Sequence, residues 1–154
     1  MGYGGHLMWT AVIRELGRAY PEKKIVFASP PRLKDRLRGR MYGRRPESEI
    51  MINNPRLADP DALRLFDDVL FVDPTDLANS YLLAYDDEKA TYKTGGHVVE
   101  LILRNFGVTP HSIRCELFFT AEEKVKAAKA TQAWPSFIAI EPCTKAEFSH
   151  NKDW

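Results

Sequence analysis

The stretch Gly2-Tyr3-Gly4-Gly5-His6-Leu7-Met8-Trp9-Thr10-Ala11-Val12-Ile13-Arg14-Glu15-Leu16, with Ala19-Tyr20-Pro21 behind it, decides the fold class. Leu7, Val12, Leu16 and Ala19 fall near helical spacing, glycines precede them and Pro21 follows, which predicts a helix over Leu7–Tyr20 opened by a glycine-rich turn. Ile25–Ala28 is a short apolar run rich in β-branched residues, as a buried strand requires. Helix followed by strand suggests an α/β fold, and the chain keeps alternating. Arg32–Arg38 reads as a short basic helix after Pro30-Pro31, and Val69–Val72 as a second buried strand ended by Pro74. Val98, Leu101 and Ile102 repeat at helical spacing over His97–Phe106, with Gly107 as the closing glycine. Glu116–Phe119 reads as a strand. Thr120 and Glu123 form a capping box for an Ala/Lys-rich helix over Glu122–Ala133, Pro135 stops it, and Phe137–Ile140 is a last apolar strand. Asp73–Thr94 is polar and irregular, and a loop of that length in a compact domain is either functional or disordered.

Composition narrows the class. With 44% hydrophobic and 28% charged residues over 154 positions, the chain is an ordinary globular one, not disordered or collagen-like. No run reaches the roughly 18 apolar residues of a membrane span. The opening residues lack the basic-then-apolar layout of a signal peptide, so the chain reads as cytoplasmic. Cys115 and Cys143 are too few for a disulfide scaffold and read as reduced thiols. The net charge of +1 argues against a general nucleic-acid partner. The charge is nonetheless uneven: residues 1–50 hold 11 Lys/Arg against 5 Asp/Glu, and residues 51–100 hold 4 against 10. Arg32, Lys34, Arg36, Arg38, Arg40, Arg44 and Arg45 carry most of the basic excess. They form either a solvated helix and loop or a contact for a phosphate-bearing or membrane-surface partner.

Several chemistries lack their motif. The opening starts like a dinucleotide fingerprint, but Leu7 stands where the third glycine belongs and no acidic residue follows at the required distance. No phosphate-binding G-x-x-x-x-G-K-[ST] loop and no G-x-S-x-G nucleophile motif occur, and no histidine groups with cysteine or carboxylate at zinc-ligand spacing. Neither a metal nor a cofactor is expected. What remains is physical: glycines let a ligand approach the backbone, and the free N–H groups of the following helix suit an anionic or sugar ligand. His6 sits at the mouth of that turn as a candidate base, and His97 beside Gly95-Gly96 has a similar setting. Near the end, Thr144 offers a hydroxyl and Lys145 and Lys152 offer ammonium groups to a diphosphate.

Taken together these segments resemble glycosyltransferase family 9, the heptosyltransferase-like enzymes of lipopolysaccharide assembly, whose GT-B fold joins two Rossmann-like domains. The residues from Gly2 to Leu16 are similar to that family's opening G-x-G-D turn and first helix, His97–Gly107 to a later helix and glycine turn, and Leu117–Glu123 to the strand and helix that lead into the second domain. Ile140-Glu141-Pro142 with Asn151-Lys152-Asp153-Trp154 resembles the element that begins the nucleotide-sugar domain. The resemblance implies a Rossmann-like acceptor-side domain over residues 1–134 and the start of the donor domain over 135–154. It implies transfer of a sugar from a nucleotide diphosphate, a nucleotide sugar acting as co-substrate, to a lipid-linked saccharide acceptor, with the protein peripheral at the inner face of the cell membrane.

Site roles follow from the same resemblance. His6 would be the catalytic base, Gly4, Gly5, His97, Arg44 and Arg45 would line the acceptor, and Thr144 and Lys152 would contact the donor phosphates. One position departs from the family: Gly5 stands where its proposed base, an aspartate, belongs, so either His6 takes the proton from the acceptor hydroxyl, or a different base is used, or the protein lacks transfer activity. The Gly-Gly-His order also resembles the amino-terminal loop of the peptidoglycan N-acetylglucosaminyltransferase, in which a histidine follows the glycines. A glycine turn of this kind normally follows a strand, so a first strand is expected before Met1, and further donor-domain sequence after Trp154. The competing reading is a small Rossmann-like binding module without transferase activity.

Overall fold

The computed structural model describes residues 3–43, 48–64, 67–76, 97–134 and 136. The chain packs as two units, Met1–Phe118 and Phe119–Trp154. The first is a mixed α/β unit with helices α1 (Tyr3–Ala19), α2 (Leu33–Leu37), α3 (Glu49–Ile52) and α4 (Val98–Asn105), strands β1 (Lys24–Phe27) and β2 (Val69–Val72), and a 3-10 turn at Pro60–Ala62.

The sheet has two parallel strands, with Lys24 opposite Val69 and Phe27 opposite Val72. Parallel strands need a long crossover, and here it holds α2, α3 and the 3-10 turn. On its other side β1 makes a single bridge, Ile25 with Leu57, closed by the Ala58 N–H on the Ile25 carbonyl at 2.8 Å. Both strands lie where their β-branched runs predict, within a residue. α3 and the 3-10 turn carry no strong periodicity and went unread.

α1 is the centre of the packing. Trp9, Val12, Ile13 and Leu16 are spaced i, i+3, i+4, i+7 and are fully buried. They meet Ile25 and Phe27 of β1, Met51 of α3, Val72 of β2, and Val99, Ile102 and Leu103 of α4 in one core. Trp9 and Phe27 touch with ring centroids 5.0 Å apart. α4 starts and stops as its sequence predicts. His97 closes a capping box with Glu100, and Gly107 reverses the chain at φ +68°, a conformation that favours glycine.

Two expectations are corrected. Gly4, Gly5 and His6 lie inside α1 and not in a turn ahead of it. His6, Trp9, Thr10 and Ile13 continue the buried stripe one turn upstream, and glycine costs little where the first N–H groups need no partner four residues back. Second, Glu116–Phe119 is not a strand. Its Glu116 N–H donates to the Thr10 hydroxyl at 2.8 Å, and Leu117 and Phe119 are exposed. An apolar alternation becomes a strand only when another strand pairs with it.

The second unit contains α5 (Ala121–Thr131), whose capping box is the one the sequence predicts. The Thr120 hydroxyl accepts the Glu123 N–H at 3.1 Å and the Glu123 carboxylate accepts the Thr120 N–H at 2.6 Å. The expected strand at Phe137–Ile140 and nearly all of the polar Asp73–Thr94 loop lie outside the described residues.

Candidate functional site

The first turn of α1 gathers three of the residues singled out by sequence. Gly4 is exposed, and a Cβ placed there would meet nothing within 4 Å. Packing therefore does not demand a glycine at this position. Gly5 is half-buried and His6 is buried, with 8% of its surface exposed. Burial pushes the His6 imidazole below its ordinary value of 6.5, because desolvation disfavours the charged ring. It is therefore a neutral base at pH 7.

Trp9 follows three residues later on the same helical stripe, fully buried, and its indole N–H finds no acceptor among the described residues. Burying a donor without a partner costs about 1–3 kcal/mol, so the group calls for a water or ligand oxygen. Sequence reading missed this donor, since a tryptophan at a core position reads as packing alone.

His97 has a different occupation. Its Nδ1 accepts the Val99 N–H at 3.2 Å and its own N–H donates to Glu100 at 3.1 Å, so it caps α4. α4 packs against α1, which brings His97 and His6 to the openings of two neighbouring helices. Arg44, Arg45, Thr144 and Lys152 lie outside the described residues.

A second polar group centres on Glu15, which is 2% exposed. Burial pushes its carboxyl up, but the His111 N–H at 2.7 Å and the Arg14 and Arg18 guanidiniums at 3.0 and 3.1 Å outweigh this and hold it below the ordinary 4.5. Arg14 also donates to the carbonyls of Ser112 and Arg114, and Arg18 to that of Thr109. Arg56 pairs with Glu116 at 2.8 Å and lies 5.5 Å from the centre of the Phe118 ring. The partners come from the extended 109–118 segment, from the helix it crosses and, in Arg56, from the loop after α3, so the cluster straps that segment onto the core. A carboxylate held below its ordinary value is a poor proton acceptor at neutral pH.

The third feature lies just past the carboxyl end of β1, the side on which open parallel sheets bind ligands. Ser29, Arg32, Lys34 and Asp35 line a polar depression of about 210 Å³. Gly43 is pressed against it: its N–H donates to the Ser29 carbonyl at 2.9 Å, and a Cβ at Gly43 would come within 2.5 Å of that oxygen. Of the described basic residues from Arg32 to Arg40, Arg32 and Lys34 line this depression.

No family model, curated protein or solved structure matches the chain.

Proposed function

We propose that this chain is the acceptor-side, Rossmann-like domain of a glycosyltransferase that moves a sugar from a nucleotide diphosphate to a lipid-linked saccharide. The observation that carries the reading is the first turn of α1, where an open Gly4 lies two residues before a buried histidine whose neutral form burial favours. An acceptor hydroxyl needs a neutral base to lose its proton as it attacks the anomeric carbon, and His6 fills the role that Gly5 has lost. The free N–H groups of that turn offer a partial positive charge to an anionic or hydroxyl-rich ligand. The parallel β1–β2 pair beneath α1 supports the reading, being the pairing that Rossmann-like sheets use. The resemblance to glycosyltransferase family 9 supplies the reaction.

The test uses the protein of the full reading frame. Nucleotide diphosphate sugars are titrated to find a donor, and wild type is then compared with His6→Ala. Transfer lower by about 10²- to 10⁴-fold with donor binding intact is the expected result for a lost general base. Unchanged transfer removes His6 from the mechanism. The absence of any donor binding overturns the transferase and favours the binding module. Gly4→Ala is a second probe: it leaves stability equal or slightly raised and weakens acceptor use if the backbone must be approached there.

A further inference from the structure

We infer that α2 and the residues that follow it form a docking surface for an anionic lipid bilayer. The inference assigns a surface to the membrane-peripheral placement that the resemblance implies, and the observations behind it stand without the transferase. α2 is built inside out. At about 100° per residue, Leu33 and Leu37 share one side of the helix, Asp35 lies opposite them, and Lys34 and Arg36 flank the leucines at about 80° on either side. Solvent exposure agrees with this geometry: Asp35 is 5% exposed, whereas Leu33 and Leu37 are 74% and 79% exposed, and Met41 nearby is 43% exposed. The apolar side chains therefore face water while the carboxylate faces the protein.

The carboxylate is used up in holding the helix, since it accepts the Arg32 N–H at 3.0 Å. Among the described residues, the cations around the leucines have one ion pair, Arg40 with Asp61 at 3.1 Å. Arg32, Lys34, Arg36 and Arg38 are exposed and have no carboxylate partner among the described residues.

The element is also held in place. Gly39 turns the chain at φ +74°, its N–H donates to the Arg36 carbonyl at 2.9 Å, and the Gly43 N–H ties the return to Ser29 at 2.9 Å. Tyr42 stacks on Phe71 of β2 with centroids 5.3 Å apart. A fixed apolar tip ringed by unpaired cations matches the interface of a bilayer, where leucines enter the acyl boundary and lysine and arginine meet headgroup phosphates. Charge complementarity thus names the partner. A nucleic acid would answer the cations but would leave Leu33, Leu37 and Met41 in water. No helix among the described residues is long and apolar enough to cross a membrane, so the contact is with the surface.

The experiment is co-sedimentation of the full chain with phosphatidylcholine vesicles prepared with and without phosphatidylglycerol. Binding is expected only with the anionic lipid. Leu33→Ser/Leu37→Ser and Lys34→Glu/Arg36→Glu should each weaken it by about tenfold or more, and Lys129→Glu on α5 should leave it unchanged. All four substituted positions on α2 are exposed, so circular dichroism should show each variant folded as wild type. Equal binding to uncharged vesicles, no binding at all, or variants that bind like wild type would overturn the proposal. So would an RNA oligonucleotide that binds through the same cations and is indifferent to the leucine substitutions.

Discussion

Helices α1 and α2 each bury a carboxylate, Glu15 at 2% exposure and Asp35 at 5%, yet they point their leucines in opposite directions. α1 runs for 17 residues and turns Leu16 into the core among Trp9, Val12 and Ile13, while its charges gather where the 109–118 segment crosses it. α2 runs for five residues, too short to be stable by itself, and is held by the Asp35 carboxylate on the Arg32 N–H, a left-handed glycine and the tie at Gly43. Burial of apolar surface stabilises the first, and backbone ties stabilise the second. The comparison teaches that a helix whose stability comes from its ties can leave its apolar face free for another surface.

Truncating a leucine in each helix should break the symmetry most sharply. Leu16→Ala removes a fully buried side chain and should cost about 2–5 kcal/mol in urea unfolding, the range for cavity-forming core truncations. Leu37→Ala at 79% exposure should stay within about 0.5 kcal/mol, as surface substitutions do. A comparable loss at Leu37 would mean that its face is packed in solution, and the docking surface would fall with it.

The two carboxylates provide the next contrast. Glu15→Ala leaves Arg14 without its carboxylate and the His111 N–H without its acceptor, although Arg14 keeps the carbonyls of Ser112 and Arg114. A loss of about 2–3 kcal/mol is expected. Asp35→Ala removes a cap and should cost about 1 kcal/mol, with Asp35→Asn recovering most of it. Acid should distinguish Glu15 further. Its folded pKa is depressed, so its contribution is complete above the ordinary 4.5 and is lost as pH falls through the lower folded value. Denaturation midpoints measured from pH 6 downward should drop in that window for wild type and drop less for Glu15→Gln.

Sequence made the regular elements legible wherever local chemistry decides them. Val69–Val72 announced itself by a short unbroken apolar run ended by Pro74, α4 by its apolar repeat and Gly107, and α5 by Thr120 with Glu123. What failed depended on partners distant in the chain. Leu117 and Phe119 alternate as a strand does, but Glu116 is held by Thr10, 106 residues earlier. Arg14, Glu15 and Arg18 look like a solvated helix face until the 109–118 segment lies across them. Of the candidate site, His6 and the glycines were visible as types, but their place inside α1 was not, because glycine signals a turn before it signals a helix start. The outward leucines of α2 were hidden for the opposite reason: helical spacing shows which residues share a face but not which face meets the protein.

The smallest expected effect concerns pH near neutrality, and it separates the two helices by chemistry. The buried stripe of α1 begins with His6, whose pKa is lowered below 6.5 by burial, while the outward face of α2 carries only leucines, lysine and arginine. The unfolded chain takes up a proton on His6 as pH falls through 6.5, and the folded chain resists it, so stability is complete above that value and declines below it. The slope is bounded by a single proton, about 1.4 kcal/mol per pH unit. His6→Gln should flatten it, as read from urea midpoints at a series of pH values. Vesicle binding should stay constant between about pH 5.5 and 7.5, because the outward face of α2 carries no histidine and no carboxylate. If binding instead followed the same pH window as stability, the two helices would not be independent, and the outward face of α2 would have to be coupled to the core through α1.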